Sequence, residues 1–268
     1  MINTMAKVIS VTNQKGGVGK TTSSINLSAA LVLREKRILL LDMDPQGNAS
    51  VGLGVDTDEL DVTIYDVLLN ETSAKEAIVK TDSGVDVMTA NGDLAGAQVE
   101  LLNEIGRELR LKKALAAVQD DYDYIFIDCP PALNVLTVNA LVASNSVMIP
   151  MQCEYFALEG LSALVSTIRA IRETLNPTLK IEGLLRTMFD KRNSLSGEVS
   201  KQLQNHFGDK VYQTVIPRNI RLAEAPSYGE SAISYAPNSK GARSYINLAD
   251  EILAIAARKA DKATSVTA

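Results

Sequence analysis

The sequence has no tryptophan, a single histidine and two cysteines among 268 residues, and only 4% of it is aromatic. One histidine, His206, is too few for a histidine-rich metal site. Neither Cys129 nor Cys153 sits in a C-x-x-C, so the common zinc and redox spacings are missing. Both cysteines read as small buried hydrophobes. No apolar run approaches the roughly 18 residues that a membrane-spanning helix needs. Met1 to Lys7 carries no signal-peptide pattern, because a strand-like run begins almost at once. A composition 46% hydrophobic and 22% charged excludes global disorder and low complexity. These exclusions point to a cytoplasmic enzyme or switch.

Charge is unevenly placed. Residues 1–177 hold 14 basic and 23 acidic residues, a net of −9, whereas residues 178–268 hold 13 and 9, a net of +4. The chain as a whole is at −5. A basic face on an acidic protein fits either a polyanion footprint or a solvated surface with no partner, and charge alone does not choose.

Short apolar runs alternate with longer helical patterns. Strands are expected at 7–12, 37–42, 85–89, 124–128, 147–151, 181–186 and 211–216. Helices are expected near 21–35, 103–119, 157–175, 195–207 and 243–259. Continuously apolar strands separated by helices predict a parallel sheet covered on both faces. With no repeat and no Pro-, Gly- or Ser-rich linker, one doubly wound α/β domain is the economical reading. A short extension at 1–5 and a flexible tail at 261–268 flank it.

The first strand runs into Lys15-Gly16-Gly17-Val18-Gly19-Lys20-Thr21-Thr22. The strict phosphate-loop pattern wants a glycine at Asn13 or Gln14, and this chain lacks it. The physics is unchanged. Glycines let successive backbone N–H groups converge on phosphate oxygens, and the following helix adds its positive end. Lys20 would reach the β and γ phosphates and the Thr21 hydroxyl would ligate Mg²⁺.

On these residues the chain resembles the ParA/MinD class of P-loop ATPases, whose deviant Walker A motif is KGGVGKTT. Leu40-Leu-Asp-Met-Asp-Pro-Gln-Gly-Asn48 looks like the switch I motif of that class. Ile125-Phe-Ile-Asp-Cys-Pro-Pro131 looks like its Walker B and switch II motif, and 215–227 like the adenine-site segment of chromosomal ParA/Soj proteins. The resemblance spans residues 6 to about 258. It implies a doubly wound, mostly parallel sheet, ATP and Mg²⁺ as cofactors, and a homodimer with nucleotide sandwiched between subunits. Lys15 matches the extra lysine that reaches the partner's phosphates in that class. Asp44 matches the residue that positions the attacking water, and Asp128 matches the Walker B aspartate that holds Mg²⁺ through a water. Asp42 is open between a supporting and a strand-end role. Pro130 and Pro131 stiffen the segment that would sense the γ-phosphate.

Pro217 offers adenine a flat apolar surface, and an asparagine such as Asn219 can read its polar edge. The resemblance places Pro217, Arg218 and Asn219 at the base, with Met188 packing opposite. Arg186, Lys191, Arg192, Lys201, Lys210, Arg218, Arg221, Lys240 and Arg243 fall within 58 residues that hold five acids. Such clustering gives salt-sensitive, sequence-independent phosphate affinity, with Arg218, Arg221, Lys240 and Arg243 as first candidates. The resemblance implies ATP-bound dimers on nonspecific DNA, nucleoid association, and release through slow hydrolysis stimulated by a ParB-type centromere-binding partner. A MinD-like membrane-cycling regulator is the alternative, and a metabolic P-loop enzyme a third. The helix expected at 243–259 carries an apolar face, but the residues after it are small and polar. It reads as docked on the core, so no stable membrane binding is expected.

Overall fold

A computed structural model describes residues 5–267, with side chains as far as Asp261. Eight strands form one sheet: β1 (Lys7–Val11), β2 (Ile38–Asp42), β3 (Ile78–Lys80), β4 (Val85–Met88), β5 (Tyr124–Asp128), β6 (Ser146–Gln152), β7 (Lys180–Phe189) and β8 (Val211–Pro217). Their order is β3-β4-β2-β5-β1-β6-β7-β8. All neighbours run parallel except β3, which pairs antiparallel with β4 at the edge.

The helices are α1 (Lys20–Val32), α2 (Asn48–Val51), α3 (Ile64–Leu69), α4 (Leu94–Glu100), α5 (Arg110–Leu115), α6 (Val135–Ala143), α7 (Ala157–Thr174), α8 (Ser194–Phe207), α9 (Ile220–Glu224), α10 (Ala232–Tyr235) and α11 (Lys240–Thr267). Successive strand residues point to opposite sheet faces, so a strand covered on both sides is apolar throughout. Ile9, Leu40 and Phe126 pack with Leu27 and Leu31 of α1 and Tyr245, Leu248 and Ile252 of α11. Their sequence neighbours Val8, Leu39, Leu41, Ile125 and Ile127 face the other way, onto Leu68 of α3, Leu111 of α5 and Leu136 of α6. Beyond β1, residues of β6 and β7 pack with α7 and α8. Cys129 and Cys153 are free and buried.

Helix α11 is longer than expected, and its apolar face is spent in the core. Among the described residues no helix is long and apolar enough to cross a membrane. The extension at 1–5 lies, apart from Met5, outside the described residues. Of the tail, backbone helix is described to Thr267, while the side chains from 262 on lie outside the description. The single helix expected over 103–119 is a correction. Gly106 takes a left-handed φ of 69° and breaks the segment into 3-10 turns before α5.

Candidate functional site

In an open parallel sheet, ligands bind beyond the C-terminal strand ends, where the connections part to opposite faces. Strand β1 lies between β5 and β6, and its C-terminus delivers the glycine-rich turn. Asn13 is buried there; its Nδ2 donates to the Pro150 carbonyl and its Oδ1 accepts from the Lys15 N–H. The turn is fastened although the usual first glycine is missing. Gly19 has φ 86°, conformational space that a side chain would resist, and no side chain caps α1. The first-turn amides of α1 are thus left to an anion.

Register sets the carboxylates. Asp42 of β2 is paired with Asp128 of β5, about 4.8 Å away in neighbouring strands. Both are fully buried. Burial raises both carboxyls, and each feels a further like charge: Asp42 beside Asp128, and Asp44 beside Asp42. Asp128 accepts from the Thr21 hydroxyl at 2.7 Å and from Ser24 at 2.9 Å. Lys20 is 7% exposed; burial lowers its ammonium, opposed by Asp128 and Asp44. Its Nζ donates to the Lys15 carbonyl at 3.3 Å.

Asp42 points away from the solvent side. It accepts from Ala49 N, Ser50 N and Ser50 Oγ, each at 2.9 Å, and from Asp44 N at 3.1 Å. It therefore caps α2 from the neighbouring strand and fixes the turn that carries Asp44. That turn puts Asp44 and Asn48 on a cavity of about 310 Å³ whose other walls are Gly16, Gly17, Gly19, Lys20, Thr21, Thr22, Pro131 and Met188.

A second, mostly apolar cavity of about 150 Å³ adjoins it, and Gly19, Thr22 and Met188 line both. Pro217, Arg218, Asn219, Ile216, Leu222 and Thr187 form its other walls with Tyr245. The Asn219 Oδ1 accepts from the Arg221 N–H, which leaves its amino group as the available donor. Met188 has a left-handed φ of 48°, a strained backbone at the junction of the two cavities. Gln152 Nε2 reaches both the Met188 sulfur at 2.8 Å and the Gly17 carbonyl at 3.1 Å. The Thr187 hydroxyl donates to the Val18 carbonyl. The end of β7 and the glycine turn are clamped together.

The structure does not gather every expected residue. Lys15 is outside the cavity walls, half-exposed and paired with Glu154 at 2.5 Å. The Val18 side chain is buried, so only its backbone faces the loop. Arg218, Arg221, Lys240 and Arg243 are exposed. Lys240 and Arg243 share one shallow groove with Lys191, whereas Arg221 pairs with Glu224 at 2.6 Å. Arg186 is a correction to the basic surface. It is buried on β7, donates to Ser200 Oγ and to the Tyr212 and Gln213 carbonyls, and supports the fold. Asn48, Gln152, Thr187 and Tyr245 were not expected from the sequence. The clearest signal lay at Asn48, which ends the switch I stretch.

A family model described as an AAA domain matches residues 6–181. The sporulation initiation inhibitor protein Soj of Bacillus subtilis is 53% identical over 93% of this chain and 99% of its own length. The chromosome partitioning protein ParA of Caulobacter vibrioides is 50% identical over 92% of this chain and 94% of its own. Among solved structures, cobyrinic acid a,c-diamide synthase from Mycobacterium smegmatis, with bound ATP analog and magnesium, superposes with a TM-score of 0.81. It is 40% identical over 92% of this chain and 94% of that one. With the glycine turn, the paired aspartates and the two joined cavities in place, the chain belongs to the ParA/Soj family of chromosome-partitioning P-loop ATPases.

Proposed function

We propose that the chain binds ATP with Mg²⁺ across the two joined cavities, hydrolyses it slowly, and uses the bound state to pair with a second copy and hold DNA without sequence preference. The observation that carries this reading is the shared wall of Gly19, Thr22 and Met188. It joins an apolar slot suited to a purine to an amide-lined phosphate cradle. The residues fit the nucleotide. Pro217 and Met188 flank the base, and the Asn219 amino group donates to a ring nitrogen. Gly16, Gly17, Val18 and Gly19 offer backbone amides, and Lys20, Thr21 and Thr22 contact phosphate oxygens.

Thr21 and Asp128 would hold Mg²⁺, which neutralises charge on the transferring oxygens. Asp44 stands across the same cavity and would orient the attacking water. The ATP analog and magnesium in the 40% identical mycobacterial structure support this assignment. Lys15 would leave Glu154 to reach the phosphates of a second copy.

Lys240 and Arg243, together with Arg218 and Arg221, would contact DNA phosphates. Two subunits in one rigid body double those contacts, so ATP controls DNA affinity through pairing. A ParB-type centromere-binding partner would accelerate hydrolysis and release the dimer, in the cytoplasm and on the nucleoid. The burial of Tyr245, Leu248 and Ile252 favours this over a membrane-surface cycle, because it removes the apolar face that a lipid-bound α11 would need. The test is DNA retardation with ATP, ADP or no nucleotide, beside liposome pelleting. Binding should require ATP and fall steeply with salt. Equal DNA binding with ATP and ADP, or ATP-dependent pelleting with liposomes, would refute the reading.

A further inference from the structure

The phosphate turn begins where the chain leaves the sheet after β1, and Asn13 stands at that point. In the parallel register of β1 with β6, the Thr12 N–H still donates to the Met148 carbonyl at 3.1 Å. Continued by two residues, that ladder would bring the Gln14 N–H to the Pro150 carbonyl. Pro150 has no N–H to return, so the pairing ends and the chain turns away. The Asn13 side chain takes that acceptor instead: its Nδ2 donates to the Pro150 carbonyl at 2.8 Å. Its Oδ1 accepts the Lys15 N–H at 3.0 Å. Asn13 is 8% exposed, so its amide is largely out of reach of water.

Lys15 is thereby held in two unlike ways. Its peptide is fixed by Asn13, and its carbonyl accepts from Lys20 Nζ at 3.3 Å. Its half-exposed side chain rests on Glu154, which is also half-exposed and lies two residues beyond β6. Between these points Gln152 donates to the Gly17 carbonyl at 3.1 Å, so the end of β6 holds the turn at three places. Stranding a buried donor or acceptor shifts an equilibrium by about fivefold to a hundredfold, whereas an exposed ion pair is worth about fivefold at most. The side chain is therefore free to exchange partners while the peptide stays. A long cation that must reach another molecule loses less entropy on arrival when its backbone is already set.

We propose that Asn13 is a positioning residue for Lys15: it ties the Lys15 peptide to β6, so that only the side chain moves when Lys15 exchanges Glu154 for the phosphates of a second copy. The proposal rests on the pairing of two copies around ATP. It also gives the departure from the strict phosphate-loop pattern a physical reason. Glycine at 13 would leave the Pro150 carbonyl and the Lys15 N–H without this side-chain bridge. Asn13 lines neither the phosphate cavity nor the base cavity, so it acts through Lys15 and not on the nucleotide.

The test is a double-mutant cycle on the full chain with ATP and Mg²⁺, read as phosphate release and as pairing by light scattering, with ADP affinity measured by calorimetry. Asn13→Ala should lower turnover and pairing about tenfold and keep ADP affinity within about threefold. Placed in the Lys15→Ala chain, where the side chain it positions is gone, the same change should cost less than about twofold further. Asn13→Ser keeps a hydroxyl that can accept the Lys15 N–H two positions on. It should lose less than Asn13→Ala, and it carries the cycle if the alanine variant does not fold. Glu154→Gln removes only the exposed ion pair and should not lower turnover. An Asn13→Ala loss that multiplies with that of Lys15→Ala, or an ADP affinity that falls as far as turnover, would reduce Asn13 to a fastening of the whole turn and overturn the proposal. A Glu154→Gln loss as large as that of Asn13→Ala would overturn it too. If Lys15→Ala alone leaves turnover and pairing unchanged, the cross-subunit role of Lys15 falls, and this proposal with it. If Lys15→Ala is impaired and the two losses multiply, the pairing reading stands and only the role of Asn13 falls.

Discussion

Replacing Asp42 by alanine separates two roles that a buried aspartate beside a phosphate cavity can have. Asp42 receives three backbone N–H groups and the Ser50 hydroxyl, and is wholly buried. Each buried donor left without an acceptor costs about 1–3 kcal/mol. The sum is offset in part. The Asp44 N–H is near solvent and rehydrates, and removal of one buried carboxylate relieves its neighbour Asp128. A net loss of about 3 kcal/mol follows. For a domain of this size that lowers Tm by roughly 6–12 °C. Urea unfolding followed by circular dichroism measures it. Asp42→Asn keeps an acceptor oxygen and removes the charge, so it should lose under about 2 kcal/mol and retain ATP turnover within a few-fold. If Asp42→Ala lost less than about 1 kcal/mol, or if Asp42→Asn abolished turnover while folding normally, Asp42 would be part of the chemistry and not the fastening of α2.

Lys20→Ala should abolish ATP binding in calorimetry, because no other ammonium lines the phosphate cavity among the described residues; near-normal affinity would refute the loop assignment. Lys15→Ala should spare ADP binding but reduce ATP turnover and pairing, since its side chain lies outside its own subunit's cavity; unchanged turnover would make Lys15 a loop residue only. The Glu182 carboxyl responds to pH with a defined sign. Burial alone would raise it, but the Lys7 ammonium at 2.6 Å holds it below its ordinary value. Its contribution to stability is therefore present at neutral pH and lost as pH falls through the carboxylate range. Glu182→Gln should flatten that acid limb in unfolding experiments, and an unchanged acid limb would show that the pair contributes nothing.

The parts of this molecule that were legible in the sequence are those where one physical cause dominates. Tyr124–Asp128 is apolar because both faces are covered, and the apolar run in the sequence has the same ends as the strand. The glycine turn was legible because its backbone geometry needs glycine at fixed places. Helix α6 passed unseen: its buried positions include Leu136, Thr137, Asn139, Ala140, Leu141 and Val142, so it has no polar stripe to give a period of 3.6. Strand β3 has three residues and pairs only along the sheet edge, too short to show alternation. Arg186 looked like surface because arginine usually is; three acceptors provided by Ser200 and the backbone of β8 allow it inside. The role of Asp42 depends on register with Asp128 and on amides seven and eight residues away, and neither can be read from a linear pattern.

The most direct test of the account is the mass of the Asp44→Ala variant in ATP and Mg²⁺, measured by light scattering while phosphate release is followed. Asp44 touches the phosphate cavity but supplies none of its amides or its ammonium, so its loss should leave binding and remove water positioning. A stable dimer with ATP, a monomer with ADP and no phosphate release are expected. A monomer in ATP, or phosphate release at the wild-type rate, would contradict this.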